Sequence, residues 1–104
     1  MARPYSEKFL LDLYRSNAAP SLGVELGRAC VKYNLPAAYV AVALEVSKVT
    51  MYKWFRGREV REKNAKRVQV FMDLAKQDFE AGILPAKSVD DARIYIQNLT
   101  GVTI

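Results

Sequence analysis

An all-α fold, a compact domain of five or six helices, is what this chain predicts, and three observations lead there. Apolar residues recur at three- and four-residue spacing through most of its length. Helix caps and breakers separate the patterned stretches, at residues 17–21, 34–36, 57–61 and 82–88. No segment reads as a strand, since the β-prone tail Val102-Thr103-Ile104 is too short. With 104 residues and a hydrophobic fraction of 51%, the chain is expected to form a single domain, residues 1–104, around a modest core. Cys30 is the only cysteine, so no intramolecular disulfide can form and a reducing compartment suits the chain.

Residues 6–15 place Phe9, Leu10, Leu13 and Tyr14 on one side of a first helix, and residues 17–20 break it. Ser21 then reads as an N-cap for a helix over residues 22–33, whose face carries Leu22, Leu26, Ala29, Cys30 and Tyr33. Cys30 on that face reads as a buried, inert thiol. Asn34 and Pro36 end the helix. Two short helices follow, over residues 36–45 and 48–56, with Val46 and Ser47 at the turn and Gly57 as the stop. Residues 62–81 make the strongest helix. Its main stripe is Val68, Phe71, Met72, Ala75 and Phe79, widened by Val70 and Leu74. Gly82 ends it. Ser88 and Asp91 resemble a capping box for a last helix over residues 88–100, buried through Val89, Ala92, Ile96 and Leu99. Tyr5, Tyr14, Tyr33 and Tyr95 read as core aromatics.

The pair 36–57 carries the most information. Val40, Ala41 and Leu44 share one face of its first helix, and Met51 and Trp54 share one face of its second. Small Ala41 sits where crossing helices must approach. Lys48, Val49, Tyr52, Lys53 and Arg56 remain outward on the second helix. Phe55 lies near that outward side as well, to be covered by the 62–81 helix or by a second subunit. A short helix with a buried underside and a basic outer face suits the DNA major groove.

Residues 35–57 resemble the lambda-repressor/Cro-type helix-turn-helix. Ala41 matches that family's first-helix alanine, Val46-Ser47 its turn, and Thr50-Met51-Tyr52-Lys53-Trp54-Phe55-Arg56-Gly57 its ending. One position departs, because the family's turn glycine is Glu45 here. A left-handed backbone at that position disfavours Glu by about 1 kcal/mol. Either the turn is built differently or the strain is tolerated.

Charge points the same way. Residues 46–67 hold eight basic side chains, namely Lys48, Lys53, Arg56, Arg58, Arg61, Lys63, Lys66 and Arg67, against Glu59 and Glu62. That segment carries +6 of a chain total of +5, so everything else sums to −1. A surface charged only for solubility has no reason to be so local, whereas one facing phosphates has. The expected function is sequence-specific binding of double-stranded DNA by a small transcriptional regulator of phage or mobile-element type. Lys48, Val49, Tyr52 and Lys53 are the expected base contacts. Ser47, Thr50, Arg56, Arg58, Arg61, Lys63, Lys66 and Arg67 are the expected phosphate contacts. A lone domain of this size binds weakly, so a homodimer or higher homo-oligomer is expected, through helix 62–81 or 88–100. The alternatives are a DNA-packaging protein like a phage terminase small subunit, or an adaptor whose basic patch grips an acidic protein.

Enzyme chemistry finds little here. The chain has no histidine, which removes the commonest general base and metal ligand. One cysteine cannot build a zinc cluster, and no glycine-rich phosphate loop occurs. Adjacent Asp90 and Asp91 would point about 100° apart on a helix and read as capping residues. No catalytic residue, cofactor, metal or small-molecule substrate is expected. Charges interrupt the N-terminus every few residues, and the uncharged run 34–44 is too short for a span. The expectation is a cytoplasmic protein of a bacterial host cell or its nucleoid, without membrane contact.

Overall fold

The computed structural model describes residues 21–104, so the helix expected over residues 6–15, and Tyr5 with it, lies outside the described residues. Within them the chain forms five helices and no strand: α1 Leu22–Lys32, α2 Ala37–Leu44, α3 Lys48–Phe55, α4 Glu62–Glu80 and α5 Val89–Thr100. Three of these starts are fixed by serine. The hydroxyl oxygens of Ser21, Ser47 and Ser88 accept from the backbone N–H of Val24, Thr50 and Asp91 at 3.2, 3.1 and 3.0 Å. Each such cap contributes about 1 kcal/mol. At α5 the box is offset by one residue, since the Asp91 carboxylate accepts from Lys87 N–H at 2.9 Å instead of Ser88 N–H.

The helix ends share one geometry. After α1, α2, α3 and α4 the chain turns through a residue of positive φ: Asn34, Glu45, Gly57 and Gly82. At each, that residue's N–H and the next one's reach back to two carbonyls of the last turn. For α2 these are Glu45 N–H to Val42 at 3.2 Å and Val46 N–H to Ala41 at 3.0 Å. Glu45 therefore holds the left-handed conformation, φ 58° and ψ 41°, without being glycine. The turn tolerates the strain of a left-handed glutamate. Its carboxylate lies 3.0 Å from the Arg67 guanidinium, an exposed pair of small value. Glu45→Gly is accordingly expected to raise unfolding free energy by about 1 kcal/mol, less any lost pairing. Urea denaturation checks this, and an unchanged or lowered midpoint would contradict the strained turn.

Helix α2, apolar almost all round as AAYVAVAL, sits centrally and packs against α3, α4 and α5, while α1 packs against α3 and α4. Leu26, Leu35, Val40, Met51, Phe55, Val68 and Ile96 are fully enclosed between them. Cys30 is buried as expected, and so is Tyr33. Tyr95 is half-buried and donates to the Asp78 carboxylate at 2.5 Å. Burial first, and then that hydrogen bond, push the Tyr95 hydroxyl above its ordinary pKa. The segment after α4 is tied back to α1, because Asn34 Nδ2 donates to Ala86 O at 2.8 Å and Ala86 N–H to Tyr33 O at 2.9 Å.

Several expected faces are corrected. Val70 and Leu74 do not widen the buried stripe of α4, and Val89 is not part of the buried face of α5; all three are exposed. Leu22, Ala29, Met72 and Leu99 are only half-buried. Conversely, Gly23, Val24 and Gly27 are buried on α1, whose covered arc is wider than its apolar stripe because both α3 and α4 pack on it. Phe55 is buried inside the protein, so it offers nothing to a second subunit.

Candidate nucleic-acid interface

The surface begins with what α3 hides. Met51, Trp54 and Phe55 are buried, so the helix cannot roll without opening the core. Lys48, Val49, Lys53 and Arg56 stand exposed on the opposite side, and Val49 keeps 63% of its surface despite being apolar. Tyr52 completes this arc but is half-buried, with its ring edge-on to Phe55 at 5.7 Å and 84°. At about 100° per residue these five positions span an arc of about 140°. One face thus presents two lysines, an arginine, a phenol and an aliphatic side chain.

At the start of α3, Ser47 is occupied with its own helix. Its hydroxyl accepts from Thr50 N–H and donates to Thr50 Oγ1 at 3.0 Å, which leaves the Thr50 hydroxyl proton to be donated outward. At the other end, Gly57 at φ 103° lets Arg58 N–H close on Lys53 O at 3.0 Å and turns the chain toward α4. This turn brings Thr50, Lys53, Trp54, Arg58, Glu59, Arg61 and Asn64 around a cleft of about 430 Å3. Three cations and one carboxylate line it, together with the Asn64 amide, an arrangement suited to an anion. The part of Asn64 and Glu59 in this cleft was missed in the sequence. The one available signal was position, with Asn64 in the first turn of α4 and Glu59 in the loop that this turn must face.

The expected phosphate contacts do not form one surface. Arg56, Arg58, Arg61 and Lys63 are exposed, and Arg58 and Arg61 line the cleft beside α3. Lys66 and Arg67 instead line a second groove of about 500 Å3, between α2, α4 and α5, with Glu45, Val42, Ala43, Leu44, Val70, Phe71, Leu74, Leu99, Thr100 and Val102. Arg67 is already turned to Glu45 there. Linear order placed all eight cations together, and the fold divides them.

Among the described residues no group of His, Cys, Asp or Glu is placed to hold a metal, and no helix is long and apolar enough to cross a membrane. No protein-family model, curated protein or solved structure matches the chain. The likeness to the lambda-repressor/Cro type rests on residues 35–57 alone.

Proposed function

We propose that the protein binds double-stranded DNA, as a small transcriptional regulator of phage or mobile-element type, with α2 and α3 serving as a helix-turn-helix. The observation that carries this reading is the exposed basic face of α3 above a buried underside, continued by the cations of the 58–61 loop. On this reading α3 enters the major groove. Lys48 and Lys53 reach guanine acceptors, Val49 packs on thymine methyls, and Tyr52 touches a base or sugar edge. Ser47 and Thr50 at the helix start, with Arg56, Arg58, Arg61 and Lys63, hold the backbone and set the register. Lys66 and Arg67 are left out of this set because they line the other groove.

On a random duplex, where Lys48 and Lys53 have no preferred guanine to read, six cations meet phosphates: these two with Arg56, Arg58, Arg61 and Lys63. Counterion release predicts a log–log salt slope of about −5 for duplex binding. Affinity should fall about a thousandfold between 50 and 200 mM salt. Fluorescence anisotropy with a labelled random duplex measures this directly. A slope shallower than about −2 would remove the DNA reading and leave the adaptor, whose basic patch would grip an acidic protein instead.

A further inference from the structure

The exposed side of α4 carries a pattern that DNA contact does not use. Val70 keeps 58% of its surface and Leu74 39%, one turn apart, and Val102 beside them keeps 49%. These side chains edge the apolar groove between α2, α4 and α5. Charge along the same helix face is polar in the head-to-tail sense. Lys66 precedes Val70, and Asp73 follows it; both are exposed. At about 100° per residue, Val70 lies at the middle of this face, with Lys66 and Asp73 together on one flank.

We infer that this face of α4 is the surface on which two copies of the chain pair, antiparallel and centred on Val70. A two-fold axis at Val70 sets residue i of one copy against residue 140 − i of the other, a relation that follows from the centre alone. Lys66 of each copy then comes within a turn of Asp73 of the second copy, twice by symmetry. Val70 meets its own counterpart, and Leu74 lies under the aliphatic stem of Arg67 from the second copy, at the mouth of the groove. Parallel pairing would instead set Lys66 across the seam from Arg67 of the second copy, like charge against like, and leave Asp73 without a cation. The charge order therefore selects both a second copy and a direction. A foreign acidic helix would use Lys66 but leave Asp73 opposed by like charge. The inference does not rest on DNA binding, and its test contains no DNA.

Sedimentation equilibrium of the full chain reads the outcome. Wild type should be dimeric at tens of micromolar. Val70→Glu should be monomeric with the helical content of the wild type by far-ultraviolet circular dichroism, since Val70 is a surface residue. Lys66→Glu and Asp73→Lys should each be monomeric alone, because each homodimer then opposes like charges at both symmetric contacts. An equimolar mixture of the two should dimerise, because both contacts become opposite in sign. Three results would overturn the proposal: a monomeric wild type, a Val70→Glu protein that stays dimeric, or a mixture that fails to associate. The first two remove the surface, and the third removes the antiparallel register on which the argument depends.

Discussion

Trp54→Ala is expected to cost about 3–5 kcal/mol of folding stability, as truncation of a buried aromatic does. Trp54 is 4% exposed, and the backbone of its helix packs against α1 as well as α2. The sequence sets Trp54 on the face that the second short helix buries, and the structure brings it against Gly23 of α1. A domain of this size holds about 5–15 kcal/mol in total, so the loss is a large share of it. At about 4–8 °C per kcal/mol, the melting temperature should drop by at least about 12 °C. Thermal unfolding followed by circular dichroism checks this, and loss of DNA binding should track the unfolded fraction. If the rival arrangement held, with the indole stacked outward on a base, melting would be unchanged while binding failed. That outcome would rotate α3 and withdraw Lys48, Val49, Tyr52 and Lys53 from the groove.

The helices that announce themselves in the sequence do so for identifiable reasons. Ser21, Ser47 and Ser88 each precede a periodic run by one residue, and each caps its helix. Met51 and Trp54 recur at helical spacing with Val40, Ala41 and Leu44, and all five are buried. Stripe width was not legible. Val70, Leu74 and Val89 continue apolar faces that no neighbouring helix reaches, and periodicity records the apolar residue without the neighbour. Gly23 and Gly27 were invisible for the opposite reason, since a residue without a side chain contributes nothing to an apolar stripe. The division of the cations was also hidden. Lys63 and Lys66 are neighbours along the chain, but three residues along a helix change direction by about 60°, enough to move Lys66 to another groove. The Glu45–Arg67 contact joins residues that no local pattern connects.

Gly23→Val should unfold the protein nearly as effectively as the loss of Trp54, at about 3 kcal/mol, and by the opposite physical route. A Cβ placed on Gly23 would lie 2.5 Å from Trp54 O and 2.8 Å from Trp54 C and Cβ. Two of these are backbone atoms, so no rotamer change relieves the contact and α3 itself must move. Overpacking of this kind costs about 1–3 kcal/mol or more, and the two methyls of valine put it at the upper end. Gly23→Ala supplies the sign test. At an exposed helical site that substitution stabilises by about 1 kcal/mol, because alanine restricts the unfolded chain and favours helix. Here the clash outweighs the gain, and a net loss of about 1–2 kcal/mol is expected by urea denaturation. A stabilised Gly23→Ala would mean that α1 and α3 do not approach as described. The consequence for function follows from the same contact. With backbone against backbone on its underside, α3 has no freedom to tilt, and the direction of its basic face is set by a residue with no side chain.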